Sequence, residues 1–211
     1  MTQEQIGAND FLEKPCSKIK LYTKVKSLLR LNSEISTFED FDGVLVGLLY
    51  ALEKRNQKLI MNAKKVAKLA EQIAIFANLE NSEIALLKKG IYLQDIAQLS
   101  MKEDLTLTEY DPMSKHQEIG YQMIKNTRQT VVKNIVLYHH TNLKSKNYPH
   151  NITDYLKYFI NITSLCNYFF YLKNAFENLN DKEILEKINS EVQNSVWDKK
   201  IYNFLCEIMC N

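Results

Sequence analysis

Glycine and proline are scarce in this chain, 5 and 3 among 211 residues. A many-stranded fold needs turn residues at each reversal, so such sparse punctuation favours long helices. The apolar residues agree. "FDGVLVGLLYALEKRN" carries Val44, Leu45, Leu48, Leu49 and Leu52 in a wide helical stripe, the mark of a buried helix. "NAKKVAKLAEQIAIFANL" repeats it with Val66, Leu69, Ala70, Ile73 and Phe76. Asn81-Ser82 suits the cap of "EIALLKKGIYLQDIAQL", and Thr108 with Pro112 suits the start of "PMSKHQEIGYQMIKN". "RQTVVKNIVLYHH" and the long aromatic "DYLKYFINITSLCNYFFYLKNAF" come next. Two shorter helices, around 183–192 and 196–209, complete an all-α reading.

With 45% hydrophobic and 25% charged residues the chain can bury a real core. A formal charge of +2, with no basic stripe interleaved with aromatics, argues against nucleic acid. No apolar run reaches the roughly 18 residues that cross a bilayer, and "MTQEQIGAND" is too polar for a signal peptide, so no membrane is expected. Cys16, Cys166, Cys206 and Cys210 form no zinc or disulfide framework, which fits a reducing, cytoplasmic setting. Cys206 and Cys210 read as buried apolar residues, the aromatics of "YFINITSLCNYFFYL" as core, and Trp197 as a packing anchor or a dimer contact.

Residues 1–31 read separately. In "IGANDFLEKP", closed by Lys14-Pro15, and the helical spacing of Ile19, Leu21, Val25, Leu28 and Leu29, they resemble the last strand and helix of a response-regulator receiver domain. In that family the lysine matching Lys14 contacts the aspartyl phosphate. The strand that would carry the phosphorylated aspartate is not in the sequence, so no phosphorylation function is implied. Residues 32–40 are a polar linker and 41–211 a helical domain.

Of four histidines, His139 and His140 are adjacent at the end of a predicted helix, and His116 lies one turn into another. Asp95 sits within the apolar "IYLQDIAQL", where an ionised carboxylate is costly without a cationic partner. Three imidazoles and a carboxylate on separate helices can converge on a transition metal. Taken by themselves they read as readily as a solvent-facing aspartate and helix-end histidines favoured by the helix dipole.

Order and interval carry more. From about Phe41 to Phe170 the chain resembles the HD-GYP domain, the HD-superfamily module that hydrolyses cyclic di-GMP. Ala51-Leu52-Glu53 matches that family's opening helix. "YLQDIAQLSM" parallels the stretch around its His-Asp-Ile-Gly-Lys, and "LTLTEYDPMSKHQEIGYQMI" tracks its Leu-Thr-x-x-Glu…His-x-x-x-Gly segment through Glu109, His116 and Gly120. "HHTNLKSKNYP" keeps His139, His140, Tyr148 and Pro149 of its His-His-Glu…Gly-Tyr-Pro loop. The resemblance implies an all-α HD-superfamily bundle behind a strand-helix receiver remnant.

The departures sort by metal. Of the family's two ions, the first is held by an early histidine, a His-Asp pair and a late aspartate, and here those positions read Asn62, Gln94, Asp95 and Asn167. The second is held by the bridging aspartate and three histidines, here Asp95, His116, His139 and His140. The resemblance thus implies one divalent ion (iron, manganese or zinc), with three ligands of its neighbour replaced by amides. The family's substrate-facing lysine is Gln98, and in the loop Thr141, Lys144, Ser145 and Asn147 replace its Glu, Asp and glycines. Gln98, Lys144, Lys146 and Tyr148 are expected on the rim of the ligand pocket, where the lysines would attract an anion. With these losses the resemblance implies a two-component signalling output module, impaired as a hydrolase, that binds cyclic di-GMP, a GGDEF-type protein or a second copy of itself as a homodimer. Two alternatives stay open at this point: an active metal-dependent phosphodiesterase, and a metal-free structural bundle.

Overall fold

The computed structural model describes residues 46–107, 110–111 and 115–210. The receiver-like residues 1–31, Lys14 and the 32–40 linker lie outside the described residues. Every regular element among the described residues is helical. After a helix over residues 46–55 (α1) come α2 (Gln57–Phe76), α3 (Asn81–Leu93), a 3-10 turn (Ile96–Leu99), α4 (Lys115–Ile124), α5 (Thr130–Tyr138), α6 (Asp154–Ala175), α7 (Asp181–Gln193) and α8 (Lys199–Cys210). No described helix is long and apolar enough to cross a membrane.

Helix α2 is the spine. Its buried residues Ala63, Val66, Ala67, Ala70, Ile73 and Ala74 recur three and four apart, so one face is both apolar and thin. That thinness lets α3, α6 and α8 lie close against it. Around it Phe159, Ile162, Leu165, Phe169, Ile188, Ile201 and Leu205 complete one contiguous core. Trp197 anchors the C-terminal end: it is 4% exposed, stacks on Tyr168 at 4.9 Å, and its Nε1 donates to Glu191 at 2.7 Å. Cys166 is buried, whereas Cys206 is half-buried at the edge of the core.

Two features differ from the sequence reading, and both bear on the site. The N-cap of α3 is Glu80, not Asn81 or Ser82. Glu80 and Glu83 form a reciprocal capping box, with the Glu80 amide donating to the Glu83 carboxylate at 2.8 Å. At its other end α3 stops at Leu93 instead of running through Asp95. Asp95 takes φ −101° and ψ 22°, and the chain tightens into the 3-10 turn. The break swings Asp95 off the helix face on which the periodicity placed it.

Glycine sets the spacing between the elements that carry the site. A Cβ on Gly90 of α3 would lie 2.4 Å from Ile135 Cδ1 and 2.8 Å from Ile135 Cβ, on α5. A Cβ on Gly120 of α4 would lie 3.0 Å from Val136 Cγ1, also on α5. The Gly90 contact needs bare backbone, and at Gly120 a methyl would fit only if Val136 gave way by tenths of an ångström. Since Ile135 is fully buried, Gly90→Ala should cost about 1–3 kcal/mol by overpacking. Urea unfolding should show this as a lower midpoint; an unchanged midpoint would mean that α3 and α5 can separate freely.

Candidate metal centre

Four side chains from different elements meet beneath the break in α3. Asp95 comes from the α3/3-10 junction, His116 from the first turn of α4, and His139 and His140 from the C-terminal end of α5. One ligand atom from each lies within 4.8 Å of the others. His116 Nε2 and His139 Nε2 are 3.0 Å apart, and they stand 3.6 and 3.7 Å from Asp95 Oδ1. The His139 and His140 rings lie at a 4.2 Å centroid spacing. Asp95, His116 and His139 are buried and His140 is half-buried.

The local backbone aims these groups. His139 occupies the C-cap of α5, and its Nδ1 lies 2.9 Å from the Val136 carbonyl. A carbonyl only accepts, so Nδ1 donates its proton there and the ring turns Nε2 toward Asp95. Thr141 closes the helix end by donating from Oγ1 to the Tyr138 carbonyl at 2.7 Å. The capped end keeps the two histidines from fraying.

Burial and charge set the protonation states. Burial alone would push the Asp95 carboxyl up. The hydrogen bond to His139, and the attraction of His139, His116 and His140 whenever they are protonated, outweigh it and hold the carboxyl well below its usual range. Burial depresses His116 to about 4; His139 adds to the depression, and Asp95 and Asp111 oppose it. Burial likewise holds His140 well below the ordinary histidine range. At neutral pH the Asp95 carboxylate is therefore accompanied by neutral His116 and His140 imidazoles, the donor state that divalent metal binding requires.

These donors fit a single ion. Metal–nitrogen bonds of about 2.1 Å place neighbouring donors roughly 3.0–3.4 Å apart. The separations among Asp95, His116 and His139 need only tenths of an ångström of adjustment. An O,N,N,N set suits iron, manganese or zinc.

Beside the cluster lies a different arrangement. Gln94 Nε2 donates to Asn167 Oδ1 at 3.0 Å, and Asn167 Nδ2 donates back to Gln94 Oε1 at 2.8 Å. Both side chains are buried, at 2% and 6% exposure. Asn167 Nδ2 also reaches the His139 carbonyl at 3.3 Å, and Gln94 Nε2 lies 3.4 Å from Asp95 Oδ2. The aspartate thus divides its oxygens: Oδ1 faces the imidazoles and Oδ2 faces an amide N–H. The third amide position, Asn62 on α2, is half-buried and lines a cavity of about 130 Å³ together with Gln94, Asp95, His116, His140 and Asn167.

None of the four residues expected on the rim lines this cavity. Gln98 is fully buried; its Oε1 accepts from the Leu105 amide at 2.6 Å, and its Nε2 donates to the Glu103 carbonyl at 3.0 Å. It braces the segment after the 3-10 turn and does not line the cavity. Lys144 and Lys146 are exposed on the loop after α5, and neither lines the cavity. Tyr148 is buried with its hydroxyl donating to Asn161 at 3.1 Å. The cavity wall instead includes Leu105, Tyr110, Asp111, Tyr171 and Asn174. Tyr110 packs edge-on against His140 at 4.7 Å and tilts against Tyr171 at 5.3 Å. The aromatic tract of α6 reads as core throughout; no periodicity signal separates Tyr171 from its buried neighbours.

No family profile matches the sequence, and no curated protein does. Among solved structures, the chain is similar to the HD domain of the phosphodiesterase PgpH from L. monocytogenes in complex with cyclic-di-AMP. The TM-score is 0.55 at 15% identity, covering 75% of this chain and 93% of that one. A second structure of the PgpH HD domain gives 0.54 at 16% identity, over 77% and 97%. The architecture is therefore that of an HD-domain helical fold, with a buried Asp/His cluster able to hold a metal.

A proton count gives a direct check in the metal-free state. Between pH 6.5 and about 4 the unfolded chain protonates at His116 while the folded chain does not, so stability must fall as pH falls through that window. In chelator, the unfolding free energy from urea titration should drop between pH 7 and pH 5 by about 2 kcal/mol. His116→Gln should flatten the slope. A stability that rises over the same interval would contradict the buried neutral cluster.

Proposed function

We propose that the chain is an HD-GYP-type output module that holds one divalent ion between Asp95, His116, His139 and His140 and acts by binding rather than by turnover. Its ligand, on this reading, is a cyclic dinucleotide, cyclic di-GMP by the sequence resemblance, or a signalling partner of the GGDEF type. The observation that carries the proposal is the pairing of Gln94 with Asn167 against Asp95 Oδ2, at 3.0, 2.8 and 3.4 Å.

A paired-metal phosphodiesterase uses two ions about 3.5–4 Å apart, which together stabilise the attacking and leaving oxygens. Its bridging carboxylate gives one oxygen to each. Here the oxygen that would serve the second ion faces an N–H group, and the amide oxygens are taken up by one another. Neutral amides supply no charge to a cation, and each amide oxygen already accepts one hydrogen bond. A single ion supplies Lewis-acid polarisation of a phosphoryl oxygen. The chain's own residues hold that ion, and Asp95 supplies the only carboxylate oxygen of the set. Loss of one electrostatic contact in such a centre typically costs about a hundredfold or more in rate.

One observation favours a metal-free reading. The 3.0 Å His116–His139 contact is itself of hydrogen-bond length, so the imidazoles can satisfy one another. Metal content decides between the two. Protein purified without a histidine tag should carry about one equivalent of iron, manganese or zinc, falling to background in His116→Ala. Incubation with cyclic di-GMP and excess manganese should give no linear dinucleotide or GMP. Two equivalents of metal, or turnover at an appreciable rate, would overturn the proposal. No metal in the unaltered chain would favour the structural bundle.

A further inference from the structure

The cavity beside the cluster is lined unlike a phosphate site. Four of its side chains are amides: Asn62, Gln94, Asn167 and Asn174. Two more, Asp95 and Asp111, are carboxylates, and no lysine or arginine lines it among the described residues. Without a bound metal, a phosphate placed there would face two like charges and no cationic side chain, an arrangement that costs free energy at close range. A group without charge pays no such cost, and amides offer it both donors and acceptors.

Size and surface narrow the chemistry. At about 130 Å³ the cavity matches one six-membered ring; an engineered apolar cavity of about 150 Å³ in another protein accepts benzene. Tyr110 and Tyr171 form an aromatic wall beside the amides. Aromatic walls with convergent asparagine and glutamine side chains recognise the flat face and hydrogen-bonding edge of a nucleobase. Gln94 and Asn167 already hold each other. Asn62, on α2, and Asn174, at the C-terminal end of α6, are half-buried and remain to read the edge. The cavity also shares Leu105, Thr106, Leu107 and Asn174 with a wider cleft of about 670 Å³ that carries Arg55 and Lys58. The cations are therefore outside the cavity.

From this we infer that the inner cavity is a nucleobase site: it takes the uncharged six-membered ring of a base between the amides and the two tyrosines. The inference deepens the binding role proposed above, but the metal is not needed for it.

Equilibrium dialysis of the full chain against adenosine, guanosine, cytidine, uridine and inorganic phosphate tests it, each with excess manganese and again in chelator. At least one nucleoside should bind in both conditions, and its affinity should fall about tenfold or more in Asn62→Leu or Asn174→Leu, with melting curves confirming that the variants fold. Phosphate should show no binding in chelator. Binding of none of the nucleosides would overturn the inference, as would nucleoside binding indifferent to both substitutions. Phosphate bound only with manganese, and no nucleoside, would sink the base site while sparing the metal reading. Nucleoside binding in a chain that takes up no metal would support the base site and sink the metal reading.

Discussion

A carboxylate removed from water has to be matched, and Asp95 is 9% exposed among three imidazoles. The surrounding architecture is arranged around that requirement. The break after Leu93 turns Asp95 inward, the bare backbone of Gly90 lets α3 approach α5, and the capped end of α5 presents His139 and His140. Remove any one of these and the carboxylate is left buried without its counterpart, a condition that folded chains rarely tolerate. The same demand explains why burial and charge pull in opposite directions at this point, with charge prevailing at Asp95 and burial prevailing at His116 and His140.

The amide pair gives the centre its asymmetry. On one side of Asp95 are basic nitrogens; on the other are N–H groups and a closed two-way hydrogen bond. A buried polar network of this kind is stable only when each member is satisfied, and Gln94 and Asn167 satisfy one another. The consequence is a cavity that is polar yet without cationic side chains among the described residues, next to a cluster suited to one ion. On the proposed reading this favours binding over paired-ion hydrolysis of a phosphodiester.

How far the sequence discloses this differs by residue. The helices were legible because Ala63, Val66, Ala67, Ala70 and Ile73 repeat at the helical period, which depends on local pattern alone. Asp95, His116, His139 and His140 were legible only through the order of their motifs, since residues 95 and 140 share no periodic signal. The break at Asp95 was not legible: "IYLQDIAQL" contains no glycine or proline, and tertiary packing overrides the helical preference there. Gln98 looked like a substrate contact by its place in the motif, yet its side chain is used up bracing the Glu103–Leu105 backbone. Tyr110, Asp111 and Asn174 went unmarked because they reach the cavity from a loop and a helix end, where neither period nor charge announces them. The receiver-like N-terminus falls outside the described residues.

The most direct test of the central claim is anomalous X-ray scattering from crystals grown with excess manganese. One ion should appear, within bonding distance of Asp95 Oδ1 and the His116, His139 and His140 nitrogens, with the Gln94–Asn167 pair intact beside it. A second peak between Asp95 Oδ2 and Asn167, or no peak within reach of the three imidazoles, would contradict the account.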